Sequence, residues 1–178
     1  MKLHALALAA TTALAMGAAH ADTYTLSGSI TLSDAVFNRP FTLTSLSGLG
    51  TAVHYDAFNF VGVTPGAYSF TMVSGPAPAT FDTFLALYAG GFNPAAPLTN
   101  LVALNDDLAS SLTSSGFNFT LMEGMAYTLV STAYSNSGVG DYTTTVATVV
   151  PEPGTYGLMG LGLLGMCGWM RRRQQPQA

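Results

Sequence analysis

Between residues 22 and 150, apolar and polar side chains alternate in short runs that stop at Gly, Pro and Asn. Tyr24, Leu26, Gly28, Ile30 and Leu32 share one face of a run over 24–32, with Thr and Ser on the other. Over 53–63, Val53, Tyr55, Ala57, Asn59 and Val61 alternate with His54, Asp56, Phe58, Phe60 and Gly62. Pro65-Gly66 signals a turn, and Tyr68, Phe70 and Met72 then keep a period of two. Further short strands are predicted over 84–88, 117–121, 127–132 and 142–148. A period of two sends successive side chains to opposite faces of a pleated strand, and no stretch here carries the repeat of an amphipathic helix. The segment is rich in Thr, Tyr, Phe and Val, which suit a half-buried pleated surface. These patterns predict one all-β domain over residues 22–150, an antiparallel β-sandwich without internal repeats. Phe81, Phe84, Phe117, Phe119 and Tyr127 are expected in its core.

The two ends break the pattern. Lys2 precedes an apolar run from Leu3 to Ala19, and Ala19-His20-Ala21 has the small-x-small form of a leader cleavage site. Residues 1–21 are therefore predicted to be a secretory signal peptide, with the mature chain starting at Asp22. At the other end, Pro151-Glu152-Pro153 opens an uncharged, Gly-rich stretch from Gly154 to Met170, and Arg171-Arg172-Arg173 closes it. The stretch sits at the lower limit of the ~17–25 residues of a transmembrane helix and reaches roughly 25 Å. Three arginines at its end predict a cytoplasmic C-terminus, and Trp169 suits the membrane boundary. A buried helix of the soluble domain is the alternative, but a core helix does not normally run into three consecutive arginines.

Once the ends are set aside, the charge picture changes. The chain as a whole carries a net charge of −4. Within 22–150 the acids are Asp22, Asp34, Asp56, Asp82, Asp106, Asp107, Glu123 and Asp141, against Arg39 and no lysine. Such a surface makes nucleic acid a poor partner, because phosphate binding needs Lys or Arg. Cys167, the chain's one cysteine, falls in the C-terminal apolar stretch, so the domain between the ends has no disulfide and no thiol. It must hold itself by core packing, by a bound cation, or by both.

The tail carries a resemblance. Pro151, Glu152 and Pro153, the span 154–170 and Arg171–Arg173 together resemble the PEP-CTERM class of Gram-negative envelope proteins. That resemblance implies recognition by an exosortase, a membrane protease-transferase that cuts near the tripeptide. It also implies export, an inner-membrane-anchored precursor, and a final place at the cell surface or in the extracellular matrix of exopolysaccharide-producing, biofilm-forming bacteria. The domain carries a second one. Phe81-Asp82-Thr83-Phe84, the run Gly90-Gly91-Phe92-Asn93-Pro94, Asn105-Asp106-Asp107, Gly124 to Val130 and Gly140-Asp141-Tyr142 resemble the bacterial pre-peptidase C-terminal domain. This covers roughly 67–146 and implies a small jelly-roll β-sandwich. Such modules usually accompany a catalytic domain, and here the module stands alone.

Candidate chemistry is sparse. Asp82, Asn105, Asp106 and Asp107 offer the carboxylate and amide oxygens that a hard cation such as Ca²⁺ takes, six to eight at ~2.3–2.6 Å. The competing reading is a turn in which Asn105, Asp106 and Asp107 bond their own backbone. Tyr134, in a Ser- and Asn-rich loop, is the aromatic expected to be exposed, and with Tyr88, Phe92 and Tyr142 it could stack on a sugar. Aromatics at period two are more often core. No catalytic residue is expected: His54 is the one histidine of the mature chain, and no Gly-x-Ser-x-Gly elbow is present. Three functions follow: a non-enzymatic, exosortase-processed surface or matrix protein; a carbohydrate-binding module retaining matrix polysaccharide, with Ca²⁺ as its stabiliser; and a small surface hydrolase using His54 or a pair among Asp106, Asp107, Glu123 and Asp141.

Overall fold

The computed structural model describes residues 23–76 and 80–149, and every regular element among them is a strand. In chain order these are β1 (Thr23–Ile30), β2 (Val36–Phe37), β3 (Pro40–Thr42), β4 (Ser45–Leu46), β5 (Val53–Val61), β6 (Gly66–Ser74), β7 (Thr83–Ala89), β8 (Leu101–Asn105), β9 (Ser114–Leu121), β10 (Ala126–Ala133) and β11 (Gly140–Thr148). The leader over 1–21 and the tail over 151–178, with its apolar span, lie outside the described residues. Among the described residues no helix is long and apolar enough to cross a membrane.

One sheet runs β1-β11-β6-β9, and a second runs β2-β5-β10-β7-β8, with antiparallel neighbours throughout. The hairpin β3–β4 forms a third, two-stranded piece. Successive long strands change sheets: β5 to β6, β6 to β7, β8 to β9, β9 to β10 and β10 to β11. With the short β2, β3 and β4 set aside, this wrapping is a jelly roll. It agrees with the expected fold class.

Two apolar layers result. Between the sheets lie Ile30, Phe70, Met72, Leu85, Leu87 and Leu129, with Leu26, Phe60, Phe117 and Phe119 partly buried against them. A second cluster, Phe37, Val53, Phe84, Ala86, Tyr88 and Val130, packs with Tyr55 and Phe92. Its strand residues alternate with those of the first cluster, so it occupies the opposite face of the five-stranded sheet. Phe37, Tyr55 and Phe92 meet edge-on in all three pairings, with ring centroids 5.1–5.2 Å apart. Such contacts are worth about 0.5–1.5 kcal/mol each beyond area burial. Strand β7 belongs to both layers, which is why Phe84-Leu85-Ala86-Leu87-Tyr88 reads as an unbroken apolar run.

The structure departs from the sequence reading at the margins. Strand β1 stops at Ile30, so Leu32 is exposed, and Tyr24 at its other end is exposed as well. Strands β2, β3, β4 and β8 were not expected. The first three are two or three residues long, too short for alternation to register, and β8 is half-buried at every position.

The long strands share an axis with two distinct ends. Strand β11 finishes beside the start of β6, where the Val149 N–H donates to the Ala67 carbonyl at 2.8 Å. Here too lie the start of β1, the 62–65 loop and the 122–125 turn. We term this the tail end. The 31–35, 106–113 and 134–139 loops lie at the other, distal end.

Gly116 of β9 lies in close approach to β6 of the same sheet. A Cβ there would stand 2.6 Å from the Phe70 carbonyl oxygen of β6, a backbone atom that cannot swing away. A Cβ on Gly48 would meet nothing within 4 Å. Urea denaturation of residues 22–150 should therefore show Gly116→Ala losing about 1–3 kcal/mol. Gly48→Ala should stay within about 0.5 kcal/mol of the parent.

Candidate functional site

Asp82 immediately precedes β7, and Asp106 and Asp107 immediately follow β8. The two strands are antiparallel neighbours, with Leu85 opposite Asn105. Pairing therefore brings three carboxylates from separate stretches of chain to one distal corner. One ligand oxygen from each lies within 4.8 Å of the others. On each residue Oδ1 is closed to solvent and has no hydrogen-bond partner among the described residues. Two oxygens on one Ca²⁺ at ~2.3–2.6 Å stand no more than about 5 Å apart, so the spacing fits a single ion.

The backbone around the corner is pinned. The Tyr134 N–H donates to the Asp82 carbonyl at 2.9 Å, and the Thr83 N–H to the Leu112 carbonyl at 3.0 Å. After Asp107 the chain makes a tight reversal in which the Ser111 N–H donates to the Leu108 carbonyl at 3.1 Å. Ala109 and Ser110 hold φ of 52° and 66° there. Left-handed backbone without glycine costs on the order of 1–3 kcal/mol per residue and persists where surrounding contacts dictate it. The Leu108 N–H, bonded to the Ser114 carbonyl at 2.7 Å, supplies one such contact.

Asn105, the expected fourth ligand, does a different job. Its Oδ1 accepts from the Gly116 N–H at 2.9 Å and so ties β8 to β9 of the opposite sheet. The self-bonded turn is not present either, since neither Asp106 nor Asp107 makes a side-chain hydrogen bond to the loop backbone. The loop exposes its acids inward, toward each other.

That convergence raises their proton affinity. Burial, reinforced by Asp82 and Asp107 against the opposing pull of Arg39, pushes the Asp106 carboxyl up to about 6. Asp82 is also raised, by burial first and then by Asp107. Arg39 itself is buried, 1 % exposed, although it was not singled out from the sequence. Its guanidinium lies 4.5 Å from the Phe84 ring centre and 4.2 Å from that of Tyr134. Nε donates to the Tyr134 carbonyl at 2.8 Å and Nη1 to the Pro40 carbonyl at 3.0 Å. Burial lowers its pKa while Asp106, Tyr134 and Asp82 act to raise it. Three carboxylates beside one guanidinium leave an excess of negative charge in a half-enclosed corner. A hard divalent cation would neutralise it, and no imidazole or thiolate belongs to the group.

The other candidate residues fall elsewhere. Tyr134 is half-buried, with one ring face over Arg39, so it is not the freely exposed aromatic expected. Tyr88 is buried and donates to the Pro97 carbonyl at 3.0 Å. Tyr142 is buried and donates to Asp56 at 2.8 Å, and Phe92 packs on Phe37, Tyr55 and Tyr88. The four do not assemble into one platform. His54 donates through Nδ1 to the Asp34 carbonyl at 2.9 Å. Glu123 sits in the tail-end turn, whereas Asp141 is the second residue of β11 at the distal end.

Residues 149–174 match the PEP-CTERM protein-sorting motif, in agreement with the tripeptide, apolar stretch and arginines read there. No curated protein matches the sequence. Among solved structures, the chain is similar to the pre-peptidase C-terminal domain of a collagenase from Bacillus anthracis, at 15 % identity and TM-score 0.44, covering 70 % of this chain and 88 % of that one. It is also similar to PliG, a periplasmic inhibitor of g-type lysozyme from Aeromonas hydrophila, at 12 % identity and TM-score 0.36, covering 76 % and 90 %. A third is the K1 adhesin domain of Lys-gingipain from Porphyromonas gingivalis, at 16 % and 0.33, covering 72 % and 99 %.

The carboxylate corner makes two predictions. Without cation, native Asp106 holds its proton up to about pH 6, whereas an unfolded Asp releases it near 3.8. Between those values the folded state binds more protons, so the stabilisation this group contributes is full below about pH 3.8 and is lost as pH rises through about 6. Melting curves at low salt should show this slope, and Asp106→Asn should flatten it and gain about 1 kcal/mol at pH 7 after screening. With Ca²⁺ at a hundredfold over its Kd, the wild type should gain ~2.7 kcal/mol. Asp106→Asn and Asp82→Asn should lose that gain, as read by calorimetry with Ca²⁺ against EGTA.

Proposed function

We propose that this protein is an exported, non-enzymatic surface module, held at the inner membrane by its tail until an exosortase cuts near Pro151–Pro153. The observation that carries the reading is the sorting motif at 149–174, which begins where β11 ends. The motif implies an exosortase-targeted extracellular protein that passes through a membrane-anchored precursor. The released jelly roll then serves at the cell surface or in the exopolysaccharide matrix, as the class resemblance suggests. Its distal carboxylate corner takes Ca²⁺ as a structural staple. A domain without disulfides gains from such a clip outside the cell, where calcium is plentiful.

A structural role is also supported by how the reactive side chains are engaged. The His54 ring is bonded to a backbone carbonyl, and Asp106 and Asp107 turn toward Asp82. Glu123 and Asp141 stand at opposite ends of the sandwich. A general base needs reach to a substrate proton, and a hydrolytic carboxylate pair needs a shared cleft.

Intact mass spectrometry of the protein from native envelope and medium tests the processing step. Wild type should end near residue 151, and a variant with Pro151, Glu152 and Pro153 changed to Ala should stay full length in the inner membrane. A full-length wild type would reduce the tail to a plain anchor and overturn the sorting role.

A further inference from the structure

At the tail end the two sheets part between the start of β1 and the end of β5, leaving a cavity of about 490 Å³. Leu26, Phe60 and Leu129 line its depth, and Tyr24, Val61 and Val63 form an exposed apolar rim. Val63 is 74 % exposed. Met122 and Met125 of the adjoining turn are also exposed, as is Val149, where the tail departs. The volume falls within the ~300–1,000 Å³ range of ligand clefts.

Charge is divided along the axis in the same sense. Among the described Asp, Glu, Arg and His residues, Glu123 alone belongs to the tail end, and all the others sit in the distal half. The distal end exposes apolar side chains too, among them Leu32, Phe41, Leu49 and Leu112, but in the half that carries the ionisable groups. Covalent reach separates the two ends further. From Val149 to Gly154 the backbone spans at most ~18 Å, whereas β11 alone is roughly 30 Å long. In the anchored precursor the open end is thus tethered close to the bilayer.

We infer that this open, nearly uncharged end is a bilayer-seating surface, whose seam between β1 and β5 is occupied by acyl chains of the lipids beneath it. The inference rests on the reading that the tail anchors the precursor. The apolar face of an interfacial helix settles ~5–10 Å into the boundary between headgroups and chains, a depth that the exposed rim here would match. Without lysine or arginine on the face, seating draws on apolar contact and not on anionic lipid. It would hold residues 150–153 at the interface, within range of a membrane-embedded protease.

Full-length protein in phosphatidylcholine vesicles, with lipids brominated on their acyl chains, tests this. A fluorophore is placed in turn on native Cys167 and, in a Cys167→Ser background, on Val63→Cys and Ser137→Cys. Ser137 is exposed in the distal 134–139 loop. Expected are quenching at Cys167 and Val63, and none at Ser137. Quenching at Cys167 with Val63 behaving like Ser137 overturns the seating surface and leaves the anchor intact. No quenching at Cys167 removes the anchor itself, and the inference with it. A Val63 label shielded from aqueous iodide but untouched by brominated chains would mean that a second copy covers the face, which also overturns it.

Discussion

Strand β7 has no solvent face, and the architecture is arranged around that constraint. Leu85 and Leu87 point into the space between the sheets, while Phe84, Ala86 and Tyr88 point the other way. A jelly roll covers one side of a strand for free, because the opposite sheet is there. The other side needs a cover of its own, and Phe37, Tyr55 and Phe92 supply it. Without a disulfide between residues 22 and 150, this second apolar layer does the work of a covalent clasp.

Arg39 shows how closely that layer and the acidic corner are linked. It lies beside Phe84 of β7 and Tyr134 of the distal loop, and its charge is felt by Asp106 and Asp82. A buried guanidinium is tolerable where rings, carbonyls and opposite charge replace its water. One cation does not balance three carboxylates. The imbalance stays local, because it is held by the strand pairing that places Asp82 next to Asp106 and Asp107.

The two ends of the sandwich thus have opposite chemistry: a distal end that concentrates charge, and a tail end that is open and apolar. The asymmetry suits a precursor attached to a membrane at one end.

The alternation of residues determined long strands such as β6 and β11, because side-chain period records one-sided burial locally. The tail was legible for the same reason: a tripeptide, an apolar run and three arginines act through composition in order, with no partner elsewhere in the chain. Asp82, Asp106 and Asp107 could be suspected from their carboxylate oxygens, the ligand type a hard cation takes. Only the tertiary structure turned Asn105 to Gly116, put Tyr134 over Arg39, added β2 to the edge of the five-stranded sheet and paired β3 with β4. Nor could the sequence reveal the open seam at the tail end. Those features depend on which distant residue arrives opposite, and a sequence read locally does not carry that information.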